Sequence, residues 1–515
     1  MNASSRPRPL DRYTPIGGLA DSVQWLLRRS LVPAIAVLAG ETGLLFFTGS
    51  RGATAFAMIA LGTILVLALW RARGIGLPVV PLIAIQNLIV YGLPIVIGHE
   101  VLSNYPENYI TNAGLEVLIY SCSLIGAWRI GMGLFHPGSD ISRALQGFRQ
   151  EGAGKLKRLG FTLIIGSTLY LVLDSMHLLA TLYSYLPDGA ASMITTLVAA
   201  AGACGFFLGA MFVGSRTMPT GGRVLFWSLL AGNCLISASG FLLSATTGMF
   251  ASVLIGLFWS SGRMPWRYLV VVGLMLSFLN LGKFTMRERY WGADGEANVT
   301  ISLGQMPHYY GEWIQASLAA VGRGRRDDAA HDAGGKSSNG QNLLERVNNL
   351  QNLLFVIDAI DAGHIPPLHG QTYSLIPPLL VPRIFWPDKP RTHEGQILLN
   401  VHFGRQELDA TMQTYIAWGL LPEAYGNFGA KAGAIFLGVC LGLFFAWLES
   451  FTAHKVLLSL EGFISFTILL GLMGSFEMVA SILVTSIFQS IVVLIVACFP
   501  FVERTVLRRP PSATS

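Results

Sequence analysis

The chain has 515 residues, of which 52% are hydrophobic and only 12% are charged, and its mean hydropathy is +0.54. Soluble proteins carry about 25% charged residues, so this composition excludes an ordinary soluble globular protein. The deficit comes from many apolar runs of roughly 18 residues or more, the length that spans a bilayer as a helix. The sequence therefore predicts an all-α polytopic integral membrane protein with about 12 transmembrane helices.

The five cysteines all fall inside apolar runs, at Cys122, Cys204, Cys234, Cys440 and Cys498. Their placement predicts neither a disulfide framework nor a thiolate metal site. The net charge of +6 is best interpreted loop by loop, because cationic loops orient a membrane protein. We expect no nucleic-acid partner.

The N-terminal part of the chain is predicted to be a nine-span membrane domain that follows a basic tail. Residues 1–30 are polar and basic, so the positive-inside rule predicts that they are cytoplasmic. Residues 31–283 contain the spans, at 31–49, 53–70, 77–97, 113–135, 159–180, 189–214, 224–244, 246–260 and 267–283. The basic connectors within this domain all fall on the cytoplasmic side, which supports the predicted topology.

After the ninth span, residues 284–429 are predicted to form a long external region. Residues 284–296 leave the membrane, and residues 323–341, which are charged and glycine-rich, are predicted to be a mobile excursion. Three more spans follow in the C-terminal membrane part, 430–501, at residues 430–449, 457–476 and 479–501. Residues 502–515 form a cytoplasmic tail with three arginines.

Residues 342–362 are predicted to form an amphipathic helix within the external region. Apolar residues share one face at helical spacing, at Leu343, Val347, Leu350, Leu354 and Ile357. Gly363 and Pro366 are expected to end the helix. Arg346 lies on the flank of the apolar face. It either extends to lipid headgroups or binds a phosphate bidentately.

Residues 370–391 form a proline-rich cationic segment, in which regular helix is not expected. Prolines bracket Arg383 and Lys389, which fixes the direction of both cations before a ligand arrives. Preorganised charge of this kind stabilises a leaving pyrophosphate. The alternative is an interfacial belt of tryptophan and arginine, to which Trp386 and Arg391 would belong.

Candidate proton acceptors follow this segment. A glycosyl acceptor hydroxyl needs such a group, and His393 or Glu394 would supply it. The neighbouring histidines, His364, His369 and His402, match no standard ligand spacing, so we predict no metal site.

A second polar group, Glu423, Tyr425 and Asn427, precedes the tenth span. Polar side chains buried beside a bilayer are costly unless they have partners, so this group suggests a functional site. The alternative is capping of the tenth helix, with Glu423 near its positive N-terminus.

Together these residues resemble the O-antigen polymerase, or oligosaccharide repeat-unit polymerase, family (Wzy-type). The matching pieces are Arg346 opening an amphipathic helix, Gly370-x-Thr372-Tyr373, Pro382-Arg383-x-x-Trp386-Pro387-x-Lys389-Pro390 and Glu423-x-Tyr425-x-Asn427-Phe428-Gly429. The resemblance implies a glycosyltransferase of the bacterial inner membrane that needs neither nucleotide nor metal. Such an enzyme moves a growing glycan from undecaprenyl pyrophosphate onto a new lipid-linked repeat unit, at the periplasmic face.

Under this hypothesis each candidate residue has a role. Arg346, Arg383, Lys389 and Arg391 would hold pyrophosphate, and Arg287 and Arg289 would help to bind the second lipid. His393, Glu394 or Glu423 would be the base, Tyr373, Tyr425 and Trp386 would bind sugar rings, and Asn427 would assist in substrate binding. A lipid-linked donor and acceptor and membrane lipid are the expected partners, with a chain-length regulator and a flippase as candidates.

Two other functions are compatible with the sequence at this point. An O-antigen ligase shares the chemistry but uses a lipid-A or protein acceptor. A transporter or flippase of lipid-linked oligosaccharide would instead carry ionisable residues along several spans and show recognisable halves. Here the ionisable residues concentrate in one external region and no internal repeat is evident. A non-catalytic partner in a secretion complex is a further alternative.

Overall fold

A computed structural model describes residues 17–135, 141–176, 178–185, 190–239, 243–261, 264–290, 304–327, 348–381, 386, 388–412, 416–455, 460–474 and 477–492. Within these ranges the regular structure is helical, and no strand occurs. The all-α prediction is therefore confirmed for the described part of the chain.

The N-terminal helices are α1 (Gly17–Phe47), α2 (Ala53–Arg73), α3 (Val79–Asn87), α4 (Leu93–Val96) and α5 (Glu107–Leu134), with a π-helical turn (Leu88–Gly92) between α3 and α4. The middle helices are α6 (Ile141–Ser175), α7 (Ala180–Tyr183), α8 (Ala190–Gly214), α9 (Thr220–Ala238), α10 (Leu243–Ser261), α11 (Trp266–Tyr290) and α12 (Met306–Asp327). The C-terminal helices are α13 (Leu350–Asp361), α14 (Gln371–Ser374), α15 (Ile376–Leu380), α16 (Glu394–His402), α17 (Leu420–Phe428), α18 (Ala432–Thr452), α19 (Leu460–Met473) and α20 (Ala480–Val492).

Seven helical segments among the described residues are long and apolar enough to cross a membrane. They are Gly17–Phe47, Ala53–Arg73, Val79–Val96, Glu107–Leu134, Lys157–Ser175, Leu197–Gly214 and Ala432–Thr452. Each of the twelve predicted spans overlaps a helix, but the count of twelve and the sidedness of the external region stay predictions. The first span begins earlier than expected, because α1 already starts at Gly17 within the predicted N-terminal tail.

The chain forms two compact units. The first unit combines residues 13–145 with residues 347–491, and the second contains residues 146–346. The core of the second unit includes an aromatic cluster around Phe206, Phe226 and Phe250. The candidate residues from Lys389 onward, together with Tyr373 and Trp386, belong to the first unit.

The parallel helices α5 and α18 pack closely along a glycine seam in the first unit. A Cβ atom at Gly442 would lie 2.3 Å from the carbonyl oxygen of Leu124, and one at Gly438 would lie 2.6 Å from Cβ of Ser123. Two glycines four residues apart let helix backbones approach, which is the usual basis of tight helix packing in membranes. This pair positions the segments that surround the candidate site.

Each end of the α5–α18 pair holds a buried glutamate. At one end, Glu449 of α18 accepts hydrogen bonds from the indole Nε1 atoms of Trp70 (2.7 Å) and Trp128. At the other end, Glu116 of α5 accepts the backbone N–H of Lys431 at 2.8 Å. Since Lys431 immediately precedes α18, the second bond ties the start of α18 to α5.

The amphipathic helix predicted at 342–362 is confirmed over the range of α13. Its buried face includes Leu350, Leu353, Leu354 and Ile357, and the helix ends before Gly363 as expected. The prediction is wrong at Asn348 and Asn349, which precede the helix, and residues 342–347, including the predicted start, lie outside the described residues.

The expectation that residues 370–391 exclude regular helix is wrong in part. Two short helices, α14 and α15, lie within this segment. Pro377 and Pro378 occupy the first turn of α15, where a proline needs no backbone donor and its fixed φ favours the helix. Gly370 precedes α14 with φ of 87°, a conformation that strongly favours glycine.

Two further differences concern the region after the ninth predicted span. Helix α11 continues to Tyr290, so residues 284–290 remain helical. Helix α12 was not predicted, and its last residues, 323–327, fall in the segment that we expected to be a mobile excursion. The remainder of that segment, 328–341, lies outside the described residues.

Candidate active site

Helix α17 carries the polar group that the sequence places before the tenth span. Glu423 and Asn427 are four residues apart and therefore lie on one face of the helix. Both residues are completely buried. Gly419 before the helix and Gly429 after it have positive φ values of 97° and 75°, so the chain turns sharply at both ends of α17.

The carboxylate of Glu423 has a hydrogen-bond partner at each oxygen. Oε1 accepts the hydroxyl of Thr372 at 2.7 Å, and Oε2 accepts the backbone N–H of Ala480. Ala480 is the first residue of α20, so the carboxylate lies at the positive end of that helix. The expectation that Glu423 caps the tenth span, α18, is therefore wrong, because the helix whose N-terminus it meets is α20.

Burial raises the pKa of Glu423 to about 7, and the hydrogen bonds from Ala480 and Thr372 offset only part of this effect. The side chain is therefore shared between its two protonation states near neutral pH. A carboxyl group so perturbed is characteristic of functional sites, and also of structural networks.

Asn427 links the same threonine to α17. Its Nδ2 atom donates to Thr372 Oγ1 and to the backbone oxygen of Glu423, both at 2.8 Å. The backbone N–H of His369 donates to the backbone oxygen of Asn427 at 2.8 Å. These bonds fix the 368–374 segment against α17, which makes Asn427 a structural partner of the network in this conformation.

Tyr373 packs within an aromatic cluster. Its ring is stacked on Phe428, with centroids 5.7 Å apart, and meets Phe436 edge-on at 5.1 Å. The hydroxyl oxygen is buried and has no hydrogen-bond partner among the described residues. Burial raises the pKa of Tyr373 well above its ordinary value, and the neighbouring Glu423 raises it further. Sugar binding by this ring stays a prediction, which the packing of its face on Phe428 does not favour.

The start of α16 lies beside this network. His393 precedes the helix and Glu394 is its first residue, and both side chains are half-buried. A Cβ atom on the next residue, Gly395, would lie 3.0 Å from Ser481 Oγ and 3.6 Å from Cβ of Thr372. The close approach at Gly395 therefore brings the backbone next to His393 and Glu394, two of the three predicted bases, near the threonine that binds Glu423.

The predicted pyrophosphate ligands fall into two groups. Arg346 and Arg383 lie outside the described residues. Lys389 donates from Nζ to the backbone oxygens of Leu379 (2.8 Å) and Val381 (2.6 Å), so its ammonium group binds the C-terminal end of α15.

Two other residues of the proline-rich segment that were predicted to bind substrate are exposed. Trp386 is 44% exposed, and Arg391 is exposed. Arg287 and Arg289 are at the C-terminal end of α11 in the second unit. Arg289 Nη1 lies 4.0 Å from a carboxylate oxygen of Glu312.

Tyr425 is separated from Glu423 on α17. The two residues are two positions apart, so their side chains point to roughly opposite sides of the helix. Burial raises the pKa of Tyr425, and the charges of Asp361 and Glu116 raise it further. The charges that act on Tyr425 therefore come from α13 and α5 and not from the Thr372–Glu423 network.

Several residues with polar contacts were missed by the sequence analysis. Glu449 sits within an apolar run and carries no motif, so no sequence pattern identifies its two tryptophan partners. Arg405 lies over the rings of Phe355 and Trp418, with its Cζ atom 5.3 and 5.7 Å from their centroids. Contacts between residues so far apart in the sequence require the fold.

Comparisons with protein-family models, with curated proteins and with solved structures find no match to this chain.

Proposed function

We propose that this protein is a membrane glycosyltransferase that polymerises undecaprenyl-pyrophosphate-linked oligosaccharide repeat units, of O-antigen or exopolysaccharide type, at the periplasmic face of a bacterial inner membrane. The observation that carries the proposal is the start of α16. There the half-buried His393 and Glu394 lie beside the buried Thr372–Glu423 network. This arrangement places the carboxylate of Glu394 near the surface. The backbone next to it, at Gly395, packs against the buried Thr372–Glu423 network.

Glu394 is the proposed proton acceptor. A hydroxyl oxygen of the acceptor sugar attacks the anomeric carbon of the donor glycan, and its proton passes to the Glu394 carboxylate. The bond between the anomeric carbon and the phosphate oxygen breaks, and its electron pair leaves with undecaprenyl pyrophosphate. No ion pair joins Glu394 to another described residue, which favours its carboxylate as the group that receives the proton.

Glu423 acts in this proposal as a positioning residue. Its side chain is completely buried and both carboxylate oxygens already accept hydrogen bonds, so it does not contact a substrate in this conformation. It holds Thr372 and the start of α20 together, and these two segments flank Gly395. Of the three predicted bases, Glu423 is thus the one whose geometry favours support of the site over proton transfer.

The cations of the proline-rich segment neutralise the leaving pyrophosphate in this proposal. Arg383 and Arg391 would contact it, and Arg346 would assist. Lys389 has a different part, because its ammonium group binds Leu379 and Val381 immediately before Arg383. It therefore helps to fix both ends of the short segment that carries Arg383. Arg287 and Arg289 remain candidates for the headgroup of the second lipid.

An apolar groove in the first unit supports the proposal that the substrate is lipid-linked. It has a volume of about 260 Å³ and lies between α3 with its π-helical turn and α19. Leu82, Ile85, Ile89, Leu469 and Met473 are among its lining residues. An isoprenoid chain is entirely hydrocarbon, so a groove with this lining would accommodate part of it.

The test compares glycan ladders from a null strain complemented with Glu394→Gln or with the wild-type gene. We expect Glu394→Gln to lower chain growth by at least about 100-fold, the usual contribution of a general base. Asp388→Asn is the matched control, because it changes an exposed carboxylate six residues earlier. Arg383→Ala should also abolish chain growth, and all variants should insert into the membrane at wild-type levels.

The outcome also separates the alternatives. Single repeat units in the null strain support a polymerase, whereas long polymer left on its lipid carrier would indicate a ligase. A normal ladder from Glu394→Gln would remove that residue from the reaction. Failure of the purified protein to polymerise lipid-linked repeats in liposomes would overturn the proposed function.

A further inference from the structure

Arg405 is a half-buried cation that the proposed reaction does not use. It follows α16, whose last turn is closed by backbone hydrogen bonds. The N–H of Gly404 donates to the oxygen of Val401 at 3.2 Å, and the N–H of Arg405 donates to the oxygen of Asn400 at 2.8 Å. Gly404 has φ of 69°, the left-handed conformation that commonly ends a helix in this way. This turn fixes the point at which the side chain of Arg405 leaves the backbone.

The guanidinium group of Arg405 lies against two aromatic rings. Its Cζ atom is 5.3 Å from the centroid of the Phe355 ring and 5.7 Å from that of the Trp418 ring, within the range of a cation–π contact. Trp418 is held by other residues, because its Nε1 atom donates to Asn400 Oδ1 at 2.6 Å and its backbone oxygen accepts Asn352 Nδ2 at 2.8 Å. The cation therefore rests on a platform whose hydrogen bonds are made without it.

Hydrogen bonding within the protein does not explain an arginine at this position. A guanidinium group has five N–H donors. Within the described part of the chain, that of Arg405 makes one hydrogen bond, from Nη1 to the oxygen of Ala417 at a long 3.4 Å. The same oxygen already accepts Asn352 Nδ2 at 3.1 Å, and the last carbonyl groups of α16 accept backbone N–H groups. Most donors of Arg405 are therefore available to a ligand.

The positive charge of Arg405 has no partner of opposite charge among the residues that the structure describes. Glu407 and Asp409, the acidic residues that follow it, are exposed and form no ion pair with it. Burial lowers the pKa of Arg405, and Tyr105 offsets part of this effect. A cation that has lost much of its water is costly unless an anion compensates it.

We infer that Arg405 forms a binding site for an anionic group, a phosphate or a carboxylate, of a polar ligand. A guanidinium group binds both anions through paired N–H donors. Because Arg405 is only half-buried, a ligand can reach it from solvent. Its contact with two rings restricts the directions in which its remaining donors point, so the site is preorganised.

This anion is a different group from the leaving pyrophosphate. Glu394 is the first residue of α16, whereas Arg405 follows its last turn. Nine residues of helix rise about 1.5 Å each, so the two ends of α16 are roughly 12 Å apart. If the proposed function is correct, on which this identification rests, the anion is either the phosphate of the second lipid-linked molecule or the carboxylate of an acidic sugar in the repeat unit.

The decisive test uses the wild-type protein in nanodiscs of phosphatidylcholine, a lipid without net charge. Phenylglyoxal modifies accessible guanidinium groups, and mass spectrometry of the peptides follows the rate at Arg405 separately. The probes are glucose 1-phosphate and methyl glucuronide, with methyl glucoside as the neutral comparison. We expect at least one anionic probe to slow the modification of Arg405 by about fivefold or more, and the neutral probe to leave it unchanged.

Arg73 is the internal control, because it is an exposed arginine at the end of α2 in the same unit. Its modification rate should be the same with all three probes. Protection of Arg405 by glucose 1-phosphate alone would identify a phosphate site, and would make Arg405 a rival of Arg287 and Arg289 for the second lipid. Protection by methyl glucuronide would identify an acidic sugar. Equal rates at Arg405 with and without both anions would overturn the inference.

Substitutions separate binding from a structural role. Arg405→Gln removes the charge and keeps a polar side chain, and Arg405→Lys keeps the charge without the paired donors. In saturation-transfer NMR, Arg405→Gln should weaken the signal of the protecting probe by about fivefold or more, Arg405→Lys should weaken it less, and Arg73→Gln should match the wild type. A lower unfolding midpoint of Arg405→Gln with an unchanged probe signal would show that Arg405 only stabilises the fold.

The inference and the proposed function fail separately. Protection of Arg405 in a protein that does not polymerise lipid-linked repeats in liposomes would keep the anion site and remove the proposed function. Polymerisation by a protein whose Arg405 is not protected by either anion would remove only the anion site.

Discussion

Each end of the α5–α18 pair contains a buried glutamate, but the two carboxylates differ in the number of hydrogen bonds that they accept. Glu449 accepts two indole N–H groups, one at each carboxylate oxygen. Glu116 accepts one backbone N–H and leaves its second oxygen buried without a donor among the described residues. A saturated carboxylate has no capacity left for a ligand, whereas an unsaturated one does.

This comparison separates structural from functional candidates better than burial alone does. Both glutamates are almost completely buried, so exposure does not distinguish them. The number of hydrogen-bond donors at each carboxylate oxygen does distinguish them. Glu423 resembles Glu449 in this respect, because each of its oxygens has a partner, and for that reason we assign it a positioning role.

The largest loss of stability is expected when Glu449 is replaced, because both of its carboxylate oxygens accept hydrogen bonds. Glu449→Ala would leave the indole N–H groups of Trp70 and Trp128 unpaired, and we expect a loss of about 4 kcal/mol in stability. Thermal unfolding in detergent, followed by tryptophan fluorescence, measures this loss as a lower midpoint. Glu100→Ala, at an exposed position, is the control and should leave the midpoint unchanged. A Glu449→Ala midpoint equal to that of the control would show that saturation does not indicate a structural role.

An intermediate effect concerns the pH dependence of stability at Glu423. Its pKa is raised from 4.5 to about 7 in the folded protein, so the folded state binds more protons than the unfolded state between these values. Stability from this group is therefore present below about pH 4.5 and is lost as the pH rises toward 7. The shift corresponds to at most about 3 kcal/mol.

Glu423→Gln, which mimics the protonated form, is the variant that reveals this dependence. The difference in unfolding midpoint between Glu423→Gln and the wild type should grow from pH 4.5 to pH 7 in favour of the variant, and should stay constant above pH 7.5. A difference that does not change with pH would mean that Glu423 titrates normally. It would also weaken the comparison with Glu449.

The smallest change in stability is expected when Glu116 is replaced, because only one of its carboxylate oxygens accepts a hydrogen bond from a described residue. Glu116→Gln retains an oxygen for the N–H of Lys431 and removes a buried charge without a second donor, so we expect a change of less than about 1 kcal/mol in stability. The same thermal measurement applies, with the wild type at the same pH as reference. A loss as large as that of Glu449→Ala would contradict the contrast between the two ends.

The sequence predicts the helical segments well where apolar length decides the structure. It also predicts α13, because the stripe of Leu350, Leu354 and Ile357 has helical period, and the burial of Glu423 and Asn427. Helix α12 was missed because only part of its surface is apolar, so it does not stand out as a membrane-length run. The short helices α14 and α15 were missed because prolines in a first helical turn resemble prolines that break a helix.

The polar networks depend on contacts between distant residues, so they were not predictable from local patterns. Glu423 caps α20, which begins 57 residues later, and Glu449 meets Trp70 across 379 residues. Arg405 has no local motif, since its aromatic partners are 50 and 13 residues away. The predicted roles of Arg346 and Arg383 stay predictions, because both residues lie outside the described part of the chain.

The contact between Lys431 and Glu116 joins residues that are 315 positions apart, and the residues in contact along the glycine seam of α5 and α18 are separated by a similar length of chain. The first unit is therefore incomplete when α5 emerges from the ribosome, and it stays so until nearly the whole chain has been synthesised. During that interval the surface of α5 that packs against Gly438 and Gly442 has no partner helix. Truncation before α18 would leave α5 without its partner helix.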